Sequence, residues 1–283
     1  MILVTGAAGK TGRAVIQALA RRGESVRGLV RRVEQAPSLE AAGAVEVVVG
    51  DMLDEAAVHQ AVDGVRAIYH IAPNVSPHEV EIGSLVISAA QAMGVEHFVY
   101  HSVLHPQVEA MPHHWLNMRV EEILFASGLS FTILQPCAYM QNVLAHLDVI
   151  REKGIYPIPY PPQTRLSLID LGDLAEAAAI VLTETSWRDA TLELVGTPGL
   201  SQLEVARTLG EQLSRPVEAQ AISIETWQAG ARSAGLGEYQ IETLSKMFRY
   251  YEKHGLTGNP RMLRCLLDRE PTSFEEFLSR SGI

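Results

Sequence analysis

Three glycines near the start of the chain are spaced as in a loop that binds a dinucleotide. The apolar residues 2–5 run into Gly6, and Gly9 and Gly12 follow at three-residue intervals. Glycine permits the tight turn and lets a pyrophosphate approach the main chain. The residues after Gly12 form an amphipathic helix pattern, whose N-terminus would direct N–H groups at the phosphate. We therefore predict a dinucleotide site at Gly6, Ala8, Gly9, Lys10, Thr11 and Gly12, the alternative being a glycine-rich turn without a ligand.

Two arginines, Arg31 and Arg32, follow the second predicted strand, residues 25–30. A site that prefers NAD usually carries Asp or Glu at this position to bind the ribose 2′-hydroxyl. A guanidinium group instead suits a 2′-phosphate. The sequence thus predicts that NADP(H) is preferred over NAD(H), with Arg31 as the nearer contact. The alternative is a pair of solvated surface arginines.

The composition limits the classes of partner. The formal net charge of −10 argues against general affinity for nucleic acid or anionic membranes. No apolar run approaches the length of a membrane span, and a strand beginning at residue 2 leaves no room for a signal peptide. Two cysteines and histidines without ligand spacing predict neither a disulfide framework nor a metal site. We expect a cytoplasmic protein, either a monomer or a homodimer.

Apolar strands alternate with helices through residue 153. Strands are predicted at 45–49, 65–71, 97–102 and 130–135, and helices at 54–62, 79–93, 114–127 and 139–153. This alternation is typical of an α/β Rossmann fold with a doubly wound parallel sheet. Ligands of such sheets bind at the carboxyl ends of the strands. Those ends are predicted at Gly6, Arg31, Asp51, Ala72, Ser102 and Pro136.

The composition changes after residue 153. The proline-rich loop 156–162 is either a rigid connector or a wall over a substrate. A strand at 165–169, a helix at 170–183 and a strand at 191–195 follow, and the remainder is mostly helical. We therefore predict a nucleotide-binding core at 1–153 and a smaller substrate or partner lobe at 154–283, with 165–195 partly completing the core sheet. The tail also contains four aromatic residues and a methionine that either pack in a helical core or line an aromatic substrate slot. They are Trp227, Met247, Phe248, Tyr250 and Tyr251.

Several motifs resemble those of one family. They are Thr5–Gly12, Leu29–Arg31, Gly50-Asp51, Thr132–Pro136, Met140–Asn142 and the tail segment Arg269–Phe277. The chain resembles the NmrA-like group of atypical short-chain dehydrogenases/reductases over nearly its whole length. The resemblance implies an NADP-preferring Rossmann core in which Asp51 and Met52 lie near the adenine. It implies that the groove continues toward the nicotinamide through Ile71, Ala72, Pro73, Ser102, Pro136, Cys137, Tyr139 and Asn142.

The family includes quinone, triphenylmethane-dye and phenylpropanoid reductases, and also redox-sensing regulators without chemistry. Members with an active-site lysine carry it where this chain has Asn117, and no Tyr-x-x-x-Lys pair replaces it. We therefore predict an NADPH-dependent oxidoreductase that transfers hydride to a quinone-like, enone or other conjugated small molecule without a Tyr–Lys pair. The alternative is a non-catalytic NADP(H)-binding redox sensor that binds a protein partner. A sugar-nucleotide epimerase is less well supported because that chemistry also uses Tyr and Lys.

Several polar side chains are candidates to assist the reaction. Tyr139 is the first candidate for a hydrogen bond to the substrate, the alternative being a packed aromatic ring. A histidine beside a buried strand, such as His101, is often a core residue instead. The other candidates are Ser102, His113, His114 and Asn117.

Overall fold

Thirteen strands and twelve helices make up the computed structural model, which describes residues 1–283. The strands are β1 (Ile2–Val4), β2 (Val26–Val30), β3 (Glu46–Val49), β4 (Ala67–His70), β5 (His97–His101), β6 (Phe131–Pro136), β7 (Ala138–Tyr139), β8 (Ile155–Ile158), β9 (Arg165–Leu166), β10 (Leu168–Ile169), β11 (Ala190–Leu194), β12 (Leu200–Ser201) and β13 (Glu218–Ala221). The helices are α1 (Lys10–Arg21), α2 (Ala36–Glu40), α3 (Glu55–Val62), α4 (Glu79–Ala92), α5 (Pro112–Ala126), α6 (Leu147–Lys153), α7 (Leu171–Thr183), α8 (Gln202–Leu213), α9 (Ile224–Ser233), α10 (Glu238–His254), α11 (Arg261–Leu267) and α12 (Phe274–Arg280).

The main sheet has seven strands in the order β11–β6–β5–β4–β1–β2–β3. From β3 to β6 neighbouring strands are parallel; in β1, for example, Leu3 is in register with Arg27 of β2 and with Ile68 of β4. The strand order reverses between β1 and β4, where doubly wound sheets bind their ligands. The predicted α/β Rossmann fold is confirmed.

The inner strands of this sheet are apolar because helices cover both faces. All residues of β1, β4 and β5 are buried, as expected for central parallel strands. One hydrophobic cluster joins Leu3, Ile68, Phe98 and Ile133 to the buried sides of the helices. The carboxyl ends of the strands are thereby held at fixed positions along one edge of the sheet.

The chain divides into two compact units. We call the first the sheet unit, which comprises Met1–Gln107, His114–Gln135 and Leu174–Leu192. The second, the tail unit, comprises Val108–His113, Pro136–Asp173 and Glu193–Ile283. The tail unit has its own hydrophobic cluster, which includes Tyr156, Leu209, Phe274 and Phe277. Both units are assembled from separate stretches of the chain, and the domain division at residue 153 stays a prediction.

Three predicted elements differ in the structure. The loop predicted at 156–162 begins within a strand, because β8 (Ile155–Ile158) pairs with β13. The helix predicted at 139–153 is an α-helix only from Leu147 onward. The residues before it, Met140–His146, form a 3₁₀ helix. The strand predicted at 165–169 is two strands, β9 and β10, that pair with β12 and β7. Ser167 interrupts them because its N–H donates to Leu256 O at 2.9 Å and its hydroxyl accepts from Gly258 N at 3.1 Å. Within 165–195 only β11 joins the main sheet.

None of the helices is both long enough and apolar enough to cross a membrane.

Candidate functional site

The turn between β1 and α1 requires glycine at two positions. Gly6 has φ +54°, and a Cβ there would lie 2.7 Å from Ile71 O. A Cβ on Gly12 would lie 2.6 Å from Gly6 O. Gly9, the residue before α1, is exposed and donates its N–H to Gly6 O at 3.0 Å. The main chain is therefore folded as tightly as a dinucleotide-binding turn demands.

The start of α1 suits an anion. No side chain caps the helix at Gly9, and its first turn contains no acidic residue. The positive end of the helix dipole is therefore not neutralised by a carboxylate of its own first turn. Lys10 is exposed at the first helical position, whereas Thr11 is buried. This donor set fits the pyrophosphate of a dinucleotide, and Gly9 to Gly12 are the residues that would hold it.

Thr5 ties the glycine turn to the end of β4. Its hydroxyl oxygen accepts from Ile71 N at 3.0 Å and lies 2.9 Å from Nδ1 of His70. Complete burial lowers the pKa of His70 to about 3, so the ring is neutral. Neither Thr5 nor His70 was predicted from the sequence to make this contact. The contact brings Ile71, which was predicted to bind the cofactor, directly beside Gly6.

The candidates for the adenosine side lie at the ends of β2, β3 and β4. Arg31 and Arg32 are exposed. Asp51 is exposed, and its carboxylate accepts from Leu53 N at 3.0 Å. Met52 is half-buried. Two further candidates, Ala72 and Pro73, are half-buried and exposed respectively.

The polar residues at the end of β5 are already engaged within the sheet unit. The Tyr69 hydroxyl lies 2.5 Å from Nδ1 of His101. Ser102 is fully buried, and its hydroxyl donates to Glu121 Oε1 at 2.5 Å. Gln135 donates to the two oxygens of the same carboxylate at 2.9 and 3.1 Å. Ser102 is therefore bound to a protein carboxylate, and the catalytic and cofactor-binding roles predicted for it stay predictions.

Asn117 occupies a buried position on α5. The Tyr100 hydroxyl lies 2.9 Å from Asn117 Oδ1 and 3.1 Å from Glu79 Oε1. His114 is buried on the same helix, and half-buried His113 has its pKa lowered by burial to about 4.

Sequence reasoning missed Glu79, Tyr100, Glu121 and Gln135 as members of these contacts. One signal was available: Asn117 and Glu121 are four residues apart and share a helix face that also carries apolar Val120 and Leu124.

The remaining candidates belong to the tail unit. Cys137 N donates to Leu194 O at 3.1 Å, and burial raises the pKa of the Cys137 thiol to about 12. That thiol is protonated and inert at neutral pH. Half-buried Tyr139 is in register with Ile169 through the pairing of β7 with β10, and exposed Asn142 lies on the 3₁₀ helix that follows. Pro136 is buried.

Aromatic rings cluster in the tail unit. Trp227 meets Phe248 edge-on, with centroids 4.7 Å apart, and Tyr160 lies 5.9 Å from Phe248 and 6.2 Å from Tyr251. Burial raises the pKa of Tyr251, and the neighbouring Cys137 thiol adds to the rise. Tyr250 is outside this group and pairs with His254 instead. The cluster therefore adjoins the segment that begins at Pro136.

No group of three His, Cys, Asp or Glu side chains is arranged to hold a metal ion.

The model of the NmrA-like family matches residues 1–278. The chain belongs to the NmrA-like family. It is 29% identical to an NAD(P)H azoreductase of Xenophilus azovorans, over 98% of this chain and 96% of the relative. The structure of an NADPH-dependent quinone oxidoreductase of Escherichia coli in complex with NADPH superposes with a TM-score of 0.88 at 27% identity, covering all of both chains.

A second solved structure is also similar to this chain. It is the triphenylmethane reductase of Citrobacter sp. in complex with NADP(H). The two structures superpose with a TM-score of 0.87 at 25% identity, and the match covers 99% of each chain. The predicted family and the predicted enzyme class, an oxidoreductase that uses NAD(P)H, are confirmed. The individual site residues stay predictions.

Proposed function

We propose that the chain is an NADPH-dependent reductase of conjugated small molecules, such as quinones, enones, azo compounds or cationic dyes. The observation that carries the proposal is the glycine turn before the uncapped start of α1, in a chain that matches an NADPH-bound reductase along its full length. When bound, NADPH supplies the hydride. In the reduction of a quinone, that hydride and one proton from solvent or a protein donor give the hydroquinone and NADP⁺.

A preference for NADPH over NADH is supported by Arg31. Its guanidinium is exposed after β2, where an NAD site would carry a carboxylate. One charge-assisted hydrogen bond to a 2′-phosphate is worth about 1.5–3 kcal/mol, or roughly ten- to hundredfold in affinity.

The chain's own residues favour an acceptor that needs little acid catalysis. Asn117 carries no charge with which to lower the pKa of a tyrosine, and its Oδ1 lies within hydrogen-bonding distance of the buried Tyr100. A conjugated acceptor, which can take its proton from water, fits such a site better than an ordinary ketone.

Turnover with a panel of acceptors tests this function. We expect NADPH oxidation that depends on a quinone, an enone, an azo dye or a triphenylmethane dye. Tyr139→Phe should lower kcat/KM about two- to tenfold, because it removes one hydrogen bond to the substrate. The matched control Tyr239→Phe alters an exposed ring on α10 and should leave the rate unchanged. If both variants behave alike, Tyr139 does not contact the substrate.

A second candidate function is a redox sensor that binds NADP(H) and a protein partner. Asn117 at the family's lysine position favours it, because a sensor needs no acid–base pair. Tight NADPH binding without turnover of any acceptor in the panel would establish the sensor over the reductase.

A further inference from the structure

Six polar side chains form a buried cluster in the sheet unit. They come from α4, β5, α5, β6 and the residue that follows β5. We call them the buried polar cluster, and they are Glu79, Tyr100, Ser102, Asn117, Glu121 and Gln135. All six are at least nine-tenths buried. Two of them are carboxyl groups, whose burial is costly unless each is neutral or fully hydrogen-bonded.

The contacts of Glu121 are those of an ionised carboxylate. Its oxygens accept hydrogen bonds from the Ser102 hydroxyl and from the amide nitrogen of Gln135, and that nitrogen can only be a donor. Burial raises the pKa of Glu121 above its ordinary value, and the hydrogen bonds from Ser102 and Gln135 offset part of that rise.

With Asn117 Oδ1 facing the phenol, the contacts of Glu79 need a proton that the phenol alone cannot supply. Tyr100 has one hydroxyl proton, yet its oxygen lies within hydrogen-bonding distance of two acceptors, Glu79 Oε1 and Asn117 Oδ1. If Glu79 is protonated, it donates to Tyr100, which donates to Asn117, and both contacts become hydrogen bonds. The other arrangement leaves Glu79 ionised and reverses the amide of Asn117, so that nitrogen faces the phenol.

The surroundings of Glu79 favour the neutral form. The side chain is only 3% exposed, and no arginine or lysine pairs with it. The dipole of α4, which begins at Glu79, favours the charge, but burial outweighs it and raises the pKa of Glu79 to about 7.

The elements that pack around Glu79 carry other titratable groups. One of these is a neutral ring, some are buried, and the others form exposed pairs. On β4, the neutral His70 ring stacks on Tyr100 with centroids 5.8 Å apart. On α5, the buried titratable groups are His114 and Glu121. The exposed pairs are His78–Glu81 at the start of α4 and Glu55–His59 on α3.

We propose that Glu79 is a positioning residue that acts in its protonated form, holding the Tyr100 hydroxyl on Asn117 and so fixing α5 at the carboxyl end of β5. This rests on the proposed function, because that end of the sheet is where the reductase would bind its ligands. While Asn117 Oδ1 faces the phenol, ionisation of Glu79 would leave one phenol proton between two acceptors and would loosen α5. Reduction should therefore slow as the pH rises through about 7, the pKa given above.

The test is the pH profile of kcat and KM for quinone reduction in the wild type and in Glu79→Gln. The protonated fraction of such a group falls from roughly nine-tenths at pH 6 to roughly one-tenth at pH 8. We expect wild-type kcat to fall across this range by up to about tenfold. Glu79→Gln, whose amide also donates, should keep the rate seen at low pH and have a flat profile. The matched control Glu81→Gln, on the exposed side of the same helix, should keep the wild-type profile.

Thermal unfolding against pH tests the protonation without any turnover. Because folding raises the pKa of Glu79, its contribution to stability is fully present below about pH 4.5 and is lost as the pH rises through about 7. The wild type should therefore lose stability relative to Glu79→Gln between pH 5 and pH 8. The proposal would be overturned if the difference in stability between the wild type and Glu79→Gln stayed constant with pH. It would also be overturned if kcat of Glu79→Gln fell with pH in the same way as kcat of the wild type.

A third readout needs only the wild-type protein, in case Glu79→Gln does not fold. Infrared difference spectra between pH 6 and pH 8 should show the loss of the C=O band of one protonated carboxyl group. The absence of that band would overturn the proposal. Failure of the proposed function is a separate result, since it would abolish turnover and leave the stability and infrared signals of Glu79 intact.

Discussion

Gly12 shows how one residue determines the turn after β1. A Cβ added there would lie 2.6 Å from Gly6 O and 2.7 Å from Ala7 Cα, so α1 would have to move. We expect Gly12→Ala to lower the free energy of unfolding by about 1–3 kcal/mol and to weaken NADPH binding. Denaturant unfolding and cofactor titration measure the two effects.

Gly230 provides the matched control. It lies inside α9, with nothing within 4 Å of an added Cβ. Gly230→Ala should therefore raise the free energy of unfolding by about 0.5–1 kcal/mol, because alanine is the better helix former. Equal effects of the two substitutions would show that the turn tolerates a side chain at Gly12.

Single residues could be predicted from the sequence where the requirement is local. The glycines of the turn are of this kind, since backbone angle and close approach depend on neighbours within a few positions. The contact between Thr5 and His70 was missed because they are 65 residues apart and meet only through the pairing of β1 with β4. Glu79 and Tyr100 were missed for the same reason, as their contact joins α4 to β5.

At the scale of elements, two buried aspartates attach the last part of the chain within the tail unit. Asp170 accepts from Gln141 at 2.7 Å and from Arg280 at 2.6 Å. Asp173 accepts from Arg269 at 2.8 Å and from the Thr272 main-chain N–H at 2.6 Å. These contacts hold α12 and the segment before it against the start of α7.

We expect Asp173→Ala to destabilise the protein by about 1–3 kcal/mol, because it leaves the part-buried main-chain N–H of Thr272 and the Arg269 guanidinium without their acceptor. Thermal or denaturant unfolding measures this loss. The control is Arg207→Ala, which removes an exposed pair with Glu211 on α8 and should cost less than about 0.5 kcal/mol. A similar cost for both would mean that Asp173 does not anchor the tail.

Elements with a strong apolar pattern were predicted well, and short ones were not. The central strands β1, β4 and β5 are buried on both faces, so their composition alone identifies them. By contrast, β9 and β10 have two residues each, and their partners β12 and β7 lie elsewhere in the sequence. Such strands depend on pairing between distant segments, and the local pattern of apolar residues does not predict that pairing.

At the scale of the whole molecule, alternating strands and helices were enough to predict the parallel sheet. Right-handed crossovers leave few strand orders open, and the observed order from β3 to β6 is one of them. The two compact units could not be predicted, because each collects separate stretches of the chain. The fold likewise does not determine which acceptor molecule is reduced, since one fold serves many reactions.

The most direct test of the central claim is calorimetric titration of the wild type, Arg31→Ala and Arg21→Ala with NADPH and with NADH. We predict that the wild type binds NADPH roughly ten- to hundredfold more tightly than NADH and that Arg31→Ala loses this preference. Arg21→Ala, which alters an exposed arginine in the last turn of α1, should keep it. Equal binding of the two cofactors by the wild type would contradict the role of Arg31, and the absence of binding to either would contradict the dinucleotide site itself.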